Sequence, residues 1–158
     1  MAIDPQLRRA TAEDVDAIRA LTRLAYAKWV PVIGREPWPM TADYALAVER
    51  HRIDLACLDG ALAGLVETIS QPGHLLIENV AVSPAFQGRG LGGILLAQAE
   101  SLATAGGYSQ IRLYTNQRFT ENIALYLRRG YRIDREETHA AGVSVHMSKQ
   151  LGMGSGLN

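Results

Sequence analysis

The sequence predicts an α/β domain of about seven strands and about four helices, on three observations. Short apolar runs of strand length recur along the chain, longer runs carry helical periodicity, and a glycine-rich turn joins one kind to the other. That turn is Gln87-Gly88-Arg89-Gly90-Leu91-Gly92-Gly93. The apolar run before it, residues 76–82, ends in Ser83-Pro84, a strand stop. After it, residues 91–105 place Leu91, Ile94, Leu95 and Leu102 at helical spacing. A glycine turn that opens a helix leaves amide N–H groups without intrahelical partners, with the positive end of the helix dipole behind them. Glycines also let a bulky anion approach the backbone, so this is the local design of a phosphate site.

The other elements follow in order. Residues 7–10 read as a first strand, and Thr11 as the N-cap of a helix with acids in its first turn. Val15, Ile18, Leu21 and Ala25 carry that helix toward Trp29. A break over 30–40 contains Pro31, Gly34, Pro37 and Pro39, and a second helix is expected from about Thr41 to His51. Strands at 54–58 and 61–70 flank Asp59-Gly60, a strong hairpin signal. Gln71-Pro72-Gly73 turns the chain into a strand over 74–82. Gly106-Gly107 stops the long helix before a strand at 110–115. A short helix over 121–129 closes on Gly130, a C-cap choice, and strands at 131–137 and 143–151 end the pattern.

A chain of 158 residues without internal repeats is expected to form one domain over 1–151, with a disordered tail at 152–158. Sixteen basic and 16 acidic residues argue against a general nucleic-acid or membrane surface. The single Cys57 excludes an internal disulfide and, in an apolar run, reads as a packing residue. With no signal-peptide pattern or membrane-length apolar run, the cytoplasm is the expected location. His51, His74, His139 and His146 have no metal-site spacing, so no metal is expected.

The glycine turn satisfies two patterns. As Gly88-x-Gly90-x-x-Gly93 it fits the dinucleotide fingerprint, which should be followed about 20 residues later by an acid on the ribose. The strand after the helix, Gln110-Ile111-Arg112-Leu113-Tyr114-Thr115-Asn116, ends without one. As Gln87-x-x-Gly90-x-Gly92 it resembles the acyl-CoA pyrophosphate loop of the GNAT superfamily of N-acetyltransferases. Two further segments carry the same resemblance: Asn122-Ile123-Ala124-Leu125-Tyr126-Leu127-Arg128-Arg129-Gly130-Tyr131, and Arg9-Ala10-Thr11-x-x-Asp14 near the amino terminus. The resemblance spans residues 6–151 and implies a single mixed central sheet flanked by helices.

It also implies roles. Amides from Gln87 to Gly93 (Gln87, Gly88, Arg89, Gly90, Leu91, Gly92 and Gly93) would hold the CoA pyrophosphate, with Arg89 adding charge. The pantetheine arm would pair with backbone around Val80, Ala81 and Val82, where an N–H polarises the thioester carbonyl. Tyr126 would protonate the departing thiolate, as a phenol that holds its proton at neutral pH. Asn122, four residues earlier on the same side, would orient cofactor or water, or cap the short helix. For the base, Glu78 comes first because it shares a strand face with Leu76, Val80 and Val82, an apolar setting that raises a carboxyl pKa. Glu67, on the face of Ala63, Leu65 and Ile69, is second. Either carboxylate would otherwise bind a cationic acceptor or form a partly buried ion pair, and a water relay would need no dedicated base.

The stiff aromatic segment from Trp29 to Met40 is placed as a lid, with Trp38 touching the acceptor and Glu36 and Asp43 flanking it. The expected reaction is direct transfer of acetyl from acetyl-CoA to a primary amine on a small molecule or peptide. Transfer of a longer acyl group, or a non-catalytic acyl-CoA sensor, are the alternatives. Homodimers are frequent among the proteins it resembles, and the sequence leaves oligomeric state open.

Overall fold

The structure is a computed structural model that describes residues 3–152. The expected tail falls outside the described residues from position 153 onward. Seven strands form one sheet in the order β1-β2-β3-β4-β5-β7-β6. They are β1 (Gln6–Arg9), β2 (Arg52–Leu58), β3 (Ala61–Gln71), β4 (His74–Val82), β5 (Gln110–Asn116), β6 (Arg132–His139) and β7 (Gly142–Gln150). β4 and β5 run parallel, while β1–β2, β2–β3, β5–β7 and β6–β7 are antiparallel, so the sheet is mixed. The helices are α1 (Val15–Tyr26), α2 (Val30–Ile33), α3 (Tyr44–Arg50), α4 (Leu91–Ala105) and α5 (Thr120–Arg128), and α2 is a single turn inside the expected break. Among the described residues no helix is long and apolar enough to cross a membrane.

The chain groups into two compact units. The first contains residues up to Thr68 together with Asn79–Leu96. Here Thr11, the expected N-cap, accepts from the Glu13 amide, and Asp14 accepts from the Thr11 amide, which makes the cap reciprocal. Arg8 grips Asp14 with both terminal guanidinium nitrogens, at 2.9 and 2.8 Å. The hairpin turn holds Asp59 at φ 53° and Gly60 at φ 80°, the left-handed pair that matches strand twist. Gly64 marks the tightest packing: a Cβ there would lie 2.9 Å from the Ala81 carbonyl oxygen and 3.0 Å from Leu95 Cδ1. Gly64, Val66 and Thr68 therefore face α4, and Leu65 and Glu67 face the other way. Cys57 is half-buried rather than part of the core.

The second unit contains Ile69–Glu78 and the chain from Ala97 onward. Leu75, Ile77, Ile111, Leu113, Val145 and Met147 form its buried strand face. β6 is exposed along its whole length and lies at the sheet edge. Its charges pair in Arg132–Asp134 and Arg135–Glu137, a composition that discourages edge-to-edge association.

Candidate functional site

The glycine loop in the first unit is built for approach. Gly88 and Gly90 adopt φ of 77° and 85°, and nothing lies within 4 Å of a Cβ placed on either. The Ile94 amide donates to the Gly90 carbonyl at 3.3 Å, so the first intrahelical bond closes on Gly90. The amides of Leu91, Gly92 and Gly93 precede any intrahelical acceptor. Gln87 Nε2 donates to the Val82 carbonyl at 3.1 Å, which pins the loop to the end of β4. Arg89 rests over the Phe86 ring at 5.7 Å, exposed and on the loop it was expected to charge. An open cradle of this kind at a helix start suits a diphosphate.

Behind β4 runs a buried polar chain that the sequence reading missed. Tyr26 donates to Asn79 Oδ1, Asn79 Nδ2 donates to the Tyr44 hydroxyl, and Tyr44 donates to the Pro39 carbonyl. The available signal was Asn79 itself, a polar residue on the buried strand face between Ile77 and Ala81.

Glu67 is 1% exposed. His51, just past the end of α3, places Nδ1 2.6 Å from Glu67 Oε2. The second carboxylate oxygen, Oε1, is buried with no hydrogen-bond partner among the described residues. Burial raises the Glu67 pKa, and the hydrogen bond and charge of His51 oppose that rise.

The proline-rich segment is tied down on two sides. Arg23 donates to the Met40 carbonyl at 2.9 Å and to Glu36 Oε2 at 2.7 Å. Pro37, Pro39 and Met40 are buried, and Trp38 is 39% exposed. Glu36 and Asp43, expected to flank Trp38, each have a partner on the chain. Glu36 is neutralised by Arg23, and Asp43 caps α3 by accepting from the Leu46 amide.

In the second unit, Glu78 shares its face with Leu76 as expected, and that face is half-buried. Tyr114, one residue past the last β4–β5 pair, Ile77–Leu113, donates to Glu78 Oε1 at 3.4 Å. The Tyr114 ring lies 5.7 Å from that of His146, and His146 Nε2 is 3.0 Å from Glu137. Tyr126 is buried on α5, with its pKa pushed up to about 12 by desolvation. Its ring lies 6.0 Å from Tyr131, whose hydroxyl donates to Glu100. Glu100 also accepts from Arg129 and Lys149, which anchors the segment after α5. Asn122 is an interior residue of α5; the N-cap position is Phe119, so helix capping does not account for Asn122. No group of three or more His, Cys, Asp or Glu among the described residues is arranged to hold a metal ion.

Residues 18–131 match the model of the acetyltransferase (GNAT) family. No curated protein matches the chain. Several solved structures share its fold. The PaiA N-acetyltransferase of Thermoplasma acidophilum, solved with coenzyme A, superposes at TM-score 0.82 with 17% identity, covering 94% of this chain and 99% of that one. The IAA acetyltransferase of Bacillus cereus gives 0.71 and 21%, covering 94% and 100%. The ribosomal-protein-S18-alanine N-acetyltransferase of Escherichia coli gives 0.73 and 19%, covering 95% and 96%.

Proposed function

Because the chain belongs to the GNAT family of acetyltransferases, we propose that it transfers acetyl from acetyl-CoA to a primary amine by direct attack. The observation that carries this reading is the open, double-glycine cradle at the start of α4, pinned to β4 by Gln87. It suits the diphosphate of acetyl-CoA, which supplies an activated thioester. Gln87 to Gly93 hold the phosphates, and the backbone of Val80, Ala81 and Val82 receives the pantetheine arm.

Tyr126 protonates the departing thiolate in this reading. Its raised pKa supports the role, since the phenol stays protonated across the physiological range. Asn122, one helical turn away, orients cofactor or water. Glu67 takes the acceptor's proton: burial and an unpartnered oxygen give it the setting expected of a base. Glu67 lies on the face of β3 opposite Gly64, away from α4. Glu78, the carboxylate that the sequence put first as base, is half-buried and accepts from Tyr114, and in this reading it favours a positively charged acceptor instead. Trp38, held exposed by the Arg23 and Tyr44 anchors, receives that acceptor on its aromatic face.

The test is thiol release from acetyl-CoA by purified protein across a panel of cationic, neutral and peptide amines. Release stimulated by cationic primary amines is expected. Tight acetyl-CoA binding without amine-stimulated release would contradict it and identify a sensor.

A further inference from the structure

A buried carboxylate normally satisfies both oxygens, because an unpaired polar atom away from water costs about 1–3 kcal/mol. Glu67 satisfies one. Oε2 is held 2.6 Å from His51 Nδ1, and Oε1 is buried with no hydrogen-bond partner among the described residues. With Glu67 ionised, Nδ1–H is the donor. The two side chains differ sharply in access: that of Glu67 is 2% exposed, that of His51 28%.

Along β3 and across to β2 the neighbours of Glu67 on its own face are apolar. On its own face Glu67 has Leu65 along β3 and Ile53 directly opposite on β2, both apolar and buried. The neighbouring charges on β2, Arg52 and Asp54, lie in register with Thr68 and Val66 on the other face and bond to each other at 2.9 Å. His51 is the titratable group that acts on the Glu67 carboxyl.

We propose that His51 is the positioning residue of the acceptor-side base: by occupying Oε2 it fixes the Glu67 carboxyl and reserves Oε1 for the N–H of the incoming amine. The inference rests on the reading of Glu67 as the base. In the step concerned, the N–H bond of the acceptor breaks and its proton passes to Oε1. The nitrogen lone pair so released attacks the thioester carbonyl carbon, and the C–N bond forms as the C–S bond breaks. CoA leaves as the thiol with the Tyr126 proton, the second proton lost by nitrogen returns to Tyr126 through water, and the proton on Glu67 leaves to water after product departs. His51 gains and loses nothing in the step. Its donated hydrogen bond stabilises the ionised carboxylate, and so keeps the base available at a lower pH than burial alone would allow.

The experiment measures kcat/KM for the acceptor against pH, with acetyl-CoA saturating, in wild type, His51→Phe, His51→Gln and Glu67→Gln. His51→Phe fills the half-exposed position but donates nothing; His51→Leu serves the same arm if phenylalanine disturbs the fold. The acidic limb should move up by about one pH unit in His51→Phe, with acetyl-CoA affinity unchanged. His51→Gln, which retains a donor for Oε2, should recover more than half of that shift. A carboxyl titration followed by NMR in the unliganded protein should show the same order. An acidic limb and a titration that stay in place in His51→Phe would overturn the proposal. If Glu67→Gln keeps wild-type kcat/KM, the base reading itself fails, whatever the His51 variants do.

Discussion

The Tyr26 hydroxyl donates to Asn79 Oδ1 at 2.6 Å and lies 3.2 Å from the Val80 carbonyl, which ties α1 to β4 at the start of the segment assigned to the pantetheine arm. Asn79 continues the chain to Tyr44, and Tyr44 to the carbonyl of Pro39, beside Trp38. All three side chains are buried. Asn79→Leu would remove two hydrogen bonds while each tyrosine keeps one backbone acceptor. The expected loss is about 1–3 kcal/mol of stability by chemical denaturation. A loss below about 0.5 kcal/mol would mean the network contributes no net stability.

Replacing Gly90 by Val should weaken acetyl-CoA binding at least about tenfold, or roughly 1.4 kcal/mol, by placing a branched side chain in the cradle. Gly92→Val, in the first turn of α4, should act in the same direction. Gly90 has φ 85°, so the variant is also strained, and Gly107→Val supplies the control. Gly107 has φ 82° at the end of α4, outside the loop, and its variant should lose stability without losing affinity. Calorimetry on the folded variants separates the two effects.

Tyr126→Phe removes a hydroxyl and little packing. Acetyl-CoA affinity should hold while kcat falls about 100-fold, the scale of a lost general acid. Because burial holds the phenol near a pKa of about 12 against the ordinary 10.0, the folded chain keeps this proton after the unfolded chain has lost it. The Tyr126 contribution to stability is therefore fully present below pH 10 and lost as pH rises toward 12. Tyr126→Phe should lose less stability than wild type over that window.

The regular elements were legible because their periods are strong. The long helix α4 spans the expected residues 91–105, and the Asp59-Gly60 hairpin, β3 and β4 fall where strand patterning put them. Caps were less legible, because several polar residues compete for each end. Thr41 was expected to open α3, yet its hydroxyl donates to the Trp38 carbonyl and Asp43 takes the cap. The single turn α2 forms with Pro31 in its first turn and stops at Gly34, φ 77°, inside a segment whose prolines read as a break.

Within the site, motif-bearing residues were readable and long-range partners were not. The loop glycines stand out by composition. Nothing in local sequence links His51 to Glu67, 16 positions later, or Tyr26 to Asn79, 53 positions later. The partners of Glu36 and Asp43 were equally unreadable, because charge in a sequence carries no record of what it pairs with; Arg23 and the α3 amide engage them.

Gly64→Ala should destabilise the fold by about 1–3 kcal/mol, the cost of overpacking. The added methyl would meet a backbone oxygen at 2.9 Å and Leu91 Cδ2 at 3.2 Å, and the backbone cannot step aside as a flexible side chain would. Thermal or urea unfolding checks it, and an unchanged midpoint would show that β3 shifts without penalty.

Trp38→Ala should raise acceptor KM several-fold more than acetyl-CoA KM, because the indole stands exposed on a segment anchored by Arg23 and Tyr44. Varying each substrate separately in wild type and variant gives the comparison. Equal effects on both constants would remove Trp38 from the acceptor site.

Direct acetyl transfer to an amine is tested most directly by a single turnover with enzyme in excess over acetyl-CoA labelled in its acetyl group. Quenched time points should show label passing to the N-acetylated amine in step with CoA release, with none retained on the protein. Label accumulating on the protein before product forms, or CoA released without N-acetylated product, would contradict the account.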